Sequence, residues 1–456
     1  MQNFQLTRRA VLAGMGATAL TARMGSAATA ATPLTAQRAM AQVAPEGYPQ
    51  TEVWSYDGTL PGPQLRVPQG ARLQRRFVNK LDVPSSVHWH GIRIDNAMDG
   101  VAGLTQDAVP PGQTFDYGFV APDAGTYWYH AHTNSMEQVA RGLSGALIIE
   151  EPDAPDVDRD EVLLLDDWLL DPETAQLEPD FTHPMDLSHG GRFGNLVGTN
   201  GHYALTLKAK RHERLRLRLI NAANARIFVL RLTGLSGWQV ALDGMPLPAP
   251  EAIPEELVLA PAQRVDLIVD VTGDGAQAAI ERLGNDDQWH SQVAFEISGD
   301  ASRSRRDAPA PLPPNPNMAP PDLTQARPLE MKIEGGAMGR MSRSQMQGLM
   351  QSGNFWTLGG KAGPGDAPFA RLSKGEPVRL RFVNDTAFPH AMHLHGMHFR
   401  EVLEDGSLGP MRDTVLTFAG RSHEVAFTAD NQGKWLLHCH MLAHAAAGMS
   451  SWIEVT

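Results

Sequence analysis

The sequence predicts an all-β protein of three consecutive β-sandwich domains, and three observations carry that prediction. Glycine and proline, 43 and 33 of 456 residues, make up about a sixth of the chain, a composition of many turns and short strands. One strand pattern is written three times along the chain. The length calls for about two to four domains, and 42 % hydrophobic with 20 % charged residues is ordinary for a soluble globular chain. A formal charge of −12 leaves no basic face for nucleic acid.

The first thirty residues read as an address. Thr7-Arg8-Arg9-Ala10-Val11-Leu12 is a twin-arginine pattern, followed by a short apolar run to Leu20 and small residues between Ser26 and Ala31. The run is too short to span a bilayer. Residues 1–30 are therefore expected to be a removed signal for the twin-arginine export machinery, with the periplasm as destination and no stable membrane anchor. Cys439 is the single cysteine, so disulfides cannot brace this exported chain. A lone thiol in an oxidising compartment calls for something to occupy it, and a metal is the natural occupant.

The repeat begins with Leu65-Arg66-Val67-Pro68-Gln69-Gly70, Arg72-Leu73 and Arg76-Phe77-Val78-Asn79. It returns as Arg371-Leu372-Ser373-Lys374-Gly375 and Arg379-Leu380-Arg381-Phe382-Val383-Asn384. A middle copy reads Arg214-Leu215-Arg216-Leu217-Arg218-Leu219-Ile220-Asn221. Alternation of apolar and polar residues predicts a half-buried strand in each copy. Nine and eleven residues after Asn79 stand His88 and His90; the same steps from Asn384 reach His393 and His395. Five and seven residues after Gly125 stand His130 and His132, and after Gly433, His438 and His440. From Asn221 the first steps reach Leu230 and Leu232, so the middle copy keeps the strands and lacks the histidines. The expected domains are residues 45–155, 156–308 and 329–456, with the Pro-rich stretch 309–328 as a linker.

Ten of the 17 histidines fall into four groups: His88-Trp89-His90-Gly91, His130-Ala131-His132, His390-Ala391-Met392-His393-Leu394-His395-Gly396, and His438-Cys439-His440 with His444. In a strand, residues i and i+2 face one side, so each His-x-His pair can present two imidazoles to one locus. Core packing explains one such pair; it does not explain four in register. Imidazole alone leaves copper, zinc, iron and nickel open. Cys439 narrows the choice, because a Cys with two His and a weak axial Met is the blue-copper set, here His390, Cys439, His444 and Met449. The matching positions of the first copy are Ser85, Ala131, Met136 and Arg141. His183, His189, His202, His212, His290, His398 and His423 match no ligand pattern.

On these four motifs the chain resembles the three-domain multicopper oxidases, of the laccase and periplasmic cuprous oxidase kind. The resemblance covers everything after the export segment. It implies three cupredoxin-like Greek-key sandwiches and four coppers per chain, one type 1, one type 2 and two type 3. It implies His390, Cys439 and His444 as type 1 ligands with Met449 axial, and His88 and His393 at type 2. One type 3 copper would take His90, His130 and His440, the other His132, His395 and His438. The implied reaction draws single electrons from a reducing substrate at the type 1 site and reduces O2 to water. Asp99, where the family keeps an acid beside the type 2 copper, is expected to relay protons and orient its neighbours. The family's second acid has no counterpart, since Met441, Leu442, Ala443 and Ala445 stand around His444.

Two electron donors remain open, Cu(I) and a phenolic or aromatic compound. Met331, Met338, Met341, Met346 and Met350 fall where the cuprous oxidases carry a methionine-rich insertion, and thioethers suit Cu(I). Thr386 and Phe388 stand where those enzymes place an Asp and a Met, and an aromatic donor would reach His444 at an open surface. A copper nitrite reductase lacks the eight-histidine seam. A non-catalytic exported cupredoxin acting in the envelope or in copper homeostasis would have lost ligands that are intact here.

Overall fold

The computed structural model describes residues 31–273, 277–338, 344, 347–348, 351 and 353–456. Residues 1–30, expected to be an export signal, and Met341, Met346 and Met350 lie outside the described residues. Six sheets form three sandwiches. The first joins the strands Thr32–Ala41, Thr51–Tyr56, Arg72–Asn79 and Thr114–Val120 to a second sheet of Gly62–Pro68, Val87–His90, Gly125–Ala131 and Ser144–Glu150. The second and third sandwiches each join a six-stranded to a five-stranded sheet. The repeat is visible in the pairing. Thr32–Ala41 lies parallel to Arg72–Asn79, Arg159–Trp168 to Arg214–Asn221, and Arg327–Gly335 to Glu376–Asn384. Thr32–Ala41 starts ahead of residue 45, because its small residues Thr and Ala carry little apolar contrast and only Leu34 and Ala36 bury deeply.

Each sandwich closes on its own apolar core, assembled from alternate residues of facing sheets. Leu34, Phe77 and Tyr117 meet Trp89, Tyr129 and Leu147 in the first. Leu217 and Leu267 meet Leu230 and Phe295 in the second; Ile333 and Phe382 meet Leu394 and Trp435 in the third. Arg72–Asn79 and Glu376–Asn384 alternate buried and exposed positions as their sequence predicts. Arg214–Asn221 does not, since all eight residues are buried. Its arginines each meet a carboxylate, Arg216 and Arg218 at the joint with the first sandwich, so the polar face is buried by ion pairing. Arg214 pairs with Asp270, Arg216 with Asp266 and Glu151, and Arg218 with Asp160.

The Pro-rich stretch is packed down. Leu312 buries against Val240, Ala241 and Ile268, and Asn315 exchanges hydrogen bonds with the backbone of Ala124 at 2.7 and 2.8 Å. The first and third sandwiches meet edge to edge, with Asn96 Nδ2 donating to the Lys434 carbonyl at 2.6 Å and Asn431 Nδ2 to that of Ile94 at 3.0 Å. Across this joint the histidine strands come together. Val87–His90 pairs with Gly125–Ala131 so that His88 opposes His130, and His390–Leu394 pairs with Gly433–Cys439 so that His393 opposes His438. Among the described residues no helix is long and apolar enough to cross a membrane.

Candidate metal centres

Eight imidazoles converge at the joint of the first and third sandwiches. His90, His130 and His440 form a triangle with ring centroids 5.8, 5.0 and 5.2 Å apart. His132, His395 and His438 form a second, with centroids 5.1, 5.6 and 5.2 Å apart. His88 and His393 lie 6.0 Å from each other and border both triangles, His88 4.0 Å from His395 and His393 3.8 Å from His90.

Hydrogen bonds fix which nitrogen several of these rings offer. His88 Nδ1 donates to the Asp99 carbonyl at 2.8 Å, and His393 Nδ1 to the Asp413 carbonyl at 2.9 Å. Both leave Nε2 buried without a partner. His130 likewise leaves Nε2 free, and His440 leaves both nitrogens. His90 is turned the other way, with Nε2 donating to Asp413 Oδ1 at 3.2 Å and Nδ1 left over. Buried polar atoms without partners call for an explanation, and a shared metal cluster supplies one. Burial first, and neighbouring imidazoles second, hold His90, His130, His132, His395 and His440 well below the ordinary histidine range and bring His438 down to about 3. Neutral rings keep the lone pairs a metal needs.

The second centre lies inside the third sandwich. Cys439 Sγ is 3.7 Å from Nδ1 of both His390 and His444, and those two nitrogens are 3.0 Å apart. The far nitrogens are anchored, His390 Nε2 at 2.8 Å from Thr386 Oγ1 and His444 Nε2 donating to the His189 carbonyl at 2.7 Å. Met449 is fully buried on the same core, and its carbonyl accepts from the Cys439 amide at 3.1 Å. Burial pushes the Cys439 thiol up to about 12, so a metal binding there must displace its proton. The amide of Met441 donates to the sulfur at 3.4 Å. One soft sulfur and two imidazoles fit copper.

Comparison with known proteins agrees. Two sequence models of multicopper oxidase domains match, one over residues 37–154 and the other over 337–456. Multicopper oxidase MmcO of Mycobacterium tuberculosis is 30 % identical, over 96 % of this chain and 91 % of that protein. The chain belongs to the multicopper oxidase family. The crystal structure of a multicopper oxidase from Pseudomonas thermotolerans superposes with a TM-score of 0.82 at 34 % identity, covering 93 % of this chain and 98 % of the other. Lac15 from a marine microbial metagenome gives 0.77 at 41 % identity, over 93 % and 100 %. Copper resistance protein A of Escherichia coli is 25 % identical over 88 % of each chain. This multicopper oxidase binds copper and couples one-electron oxidation of a reducing substrate to reduction of O2 to water.

Around the cluster the oxidase places two buried carboxylates, and the sequence pointed to one. Asp99 accepts from His395 Nδ1 at 3.0 Å while its carbonyl holds His88, so it borders both. Asp413 gives no sequence signal, standing alone in Arg412-Asp413-Thr414 and meeting His90 across 323 residues. Burial pushes its carboxyl up, but Arg264, then His90 and His393, outweigh that and hold it well below the usual range. His398, unassigned by motif, is buried 3.7 Å from Asp413 Oδ2. A cavity of about 360 Å3 reaches His132 and His438 between Val101, Leu104, Leu436 and Leu442. Ala445 and Ala446 also line it, and among the described residues no carboxylate does.

The expected open edge at His444 is not found. His444 is fully buried, capped by Leu187 to His189 of the second sandwich, with the Trp356 ring 4.4 Å away and Trp356 Nε1 bonded to the Leu187 carbonyl at 2.6 Å. Met331 is a core residue of the strand Arg327–Gly335, so it cannot serve as a surface ligand. Met338 is 75 % exposed, and the adjoining Ala337 amide donates to the Ser188 carbonyl at 2.7 Å.

Proposed function

We propose that His390, Cys439 and His444, with Met449 axial, hold the type 1 copper, and that His88 and His393 hold type 2. His90, His130 and His440 then hold one type 3 copper, and His132, His395 and His438 the other. The carrying observation is the pair of convergent donor sets joined by one strand, Cys439 lying between His438 and His440. Copper at these positions supplies one-electron transfer at the first set and the reduction of O2 at the second.

The chain's own part is positioning. Electrons cross from the Cys439 sulfur through one peptide unit on either side to His438 and His440, and the His438 ring shortens one route by bonding the Cys439 carbonyl at 2.9 Å. Asp99 orients His88 and His395 and hands protons to the cluster. The apolar cavity at His132 and His438 gives O2 an approach free of carboxylates. Donors meet the surface over Leu187 to His189, and their electrons enter through the His189 carbonyl to His444.

The exposed thioether of Met338 beside that cap favours Cu(I) as donor, in keeping with relatives named copper resistance protein A. An aromatic donor is the second reading, since phenols as well as Cu(I) serve multicopper oxidases as reductants. Residues 1–30 carry the chain to the periplasm by the twin-arginine route on the strength of Thr7-Arg8-Arg9 and the short apolar run that follows.

The test is copper content, colour and O2 uptake of the copper-loaded protein. About four coppers per chain, a blue band and uptake driven by Cu(I) are expected. A colourless preparation would overturn the type 1 assignment. Uptake with a phenol and none with Cu(I) would move the donor to the second reading.

A further inference from the structure

Arg264 belongs to the second sandwich, the copy without histidines, yet it is fully buried at the meeting point of all three. Its Nη1 and Nη2 donate to Asp413 Oδ1 and Oδ2 at 2.8 and 2.6 Å, a two-pronged ion pair with the third sandwich. Its Nε donates to the Thr126 carbonyl of the first sandwich at 3.2 Å, and Nη1 to the Ala262 carbonyl at 3.1 Å. Its amide donates to Asp243 Oδ1 at 2.8 Å. Asp413 in turn sets two cluster rings. Oδ1 takes the Nε2 proton of His90 at 3.2 Å, and the carbonyl takes the Nδ1 proton of His393 at 2.9 Å. These rings come from different sandwiches and stack at 3.8 Å with planes 20° apart.

Gly91 supplies an independent observation. It follows His90 at φ +84°, a conformation that favours glycine, and a Cβ there would collide with Arg264 Nη2 and Asp413 Oδ2. The chain turns away from His90 through the space that the ion pair leaves.

We infer that Arg264 and Asp413 form a positioning pair for the trinuclear site, in which the histidine-free sandwich fixes the tautomer and angle of His90 and the angle of His393. The inference rests on the ligand assignment above. Asp413 makes His90 offer Nδ1 where His88, His130 and His393 offer Nε2; Arg264 holds Asp413 charged and immobile.

The test uses the full-length, copper-loaded protein. Arg264→Lys keeps the charge and loses the two-pronged geometry. The double variant Arg264→Met/Asp413→Asn removes both buried charges together, so it does not strand one of them. Copper retained after dialysis against a graded chelator and the type 2 electron paramagnetic resonance spectrum are read beside the blue band, which reports the distant His390, Cys439 and His444. Both variants are expected to stay blue, to show an altered type 2 spectrum, and to hold the cluster coppers about 10- to 100-fold more weakly. The double variant is expected to be the weaker. Wild-type copper retention and an unchanged type 2 spectrum in the lysine variant would overturn the inference, whatever the double variant does. A wild-type protein with no type 2 signal would instead overturn the ligand assignment.

Discussion

His390 and His444 offer Nδ1 to Cys439 because their far nitrogens are already tied, one to Thr386 and one to the His189 carbonyl. Those anchors cannot be read from sequence, since Thr386 and His189 stand in no motif, whereas the candidate ligands stand out by their spacing. Cys439→Ser trades the soft thiolate for a hard hydroxyl in a fully buried position of similar size. We expect the variant to fold, lose the blue band and lose substrate-driven O2 uptake; absorption and oxygen-electrode traces check it, and a blue, active variant would refute the type 1 assignment. Asp99→Asn keeps an acceptor for His395 and removes the exchangeable proton. Its copper content should be unchanged while turnover falls about 10- to 100-fold. Stopped-flow mixing of the reduced protein with O2 should place the loss in reoxidation, and a loss confined to substrate oxidation would give Asp99 another role.

At the scale of elements, the two-residue period of a strand made the cluster legible. His88 opposes His130 and His393 opposes His438 because each pair sits on neighbouring strands of one sheet. The same period misled at Arg214–Asn221, where alternation stood for two buried faces, one apolar and one ion-paired. The strand Phe228–Thr233 shows what the histidine-free copy made of the position. Leu230, matching His88, is fully buried among Leu217, Leu267 and Phe295 of the second sandwich. Restoring the histidine there would bury a polar ring in an apolar core. Leu230→His is expected to cost roughly 2–4 kcal/mol and to recruit no further copper. Chemical denaturation followed by fluorescence, with metal analysis of the folded protein, measures both, and a fifth bound copper would contradict the reading.

At the scale of the molecule, the second sandwich acts through buried arginines that face its neighbours. Their role was hidden because the partners that tie them to the neighbouring sandwiches lie far along the chain, as with Arg216 and Glu151 or Arg264 and Asp413. Arg216 Nη2 reaches Asp266 at 2.6 Å and Glu151 at 2.7 Å, all three nearly excluded from solvent. Arg216→Ala takes the nearest cation from two carboxylates in a dry joint and leaves Arg218 alone to serve both, and a loss of about 3–5 kcal/mol is expected. The midpoint of unfolding should drop in the metal-free and the copper-loaded protein alike. A drop confined to the metal-free form would show that copper, rather than this joint, holds the sandwiches together.

The cap over His444 bears on how the oxidase chooses its donors. Its imidazole is buried and tied to a peptide carbonyl, so on the proposed type 1 assignment a reductant would stop short of the ring, at Leu187 to His189. Shape would then matter less than driving force at this edge of the ring. Such a port would sort its suppliers by potential, much as an electrode does.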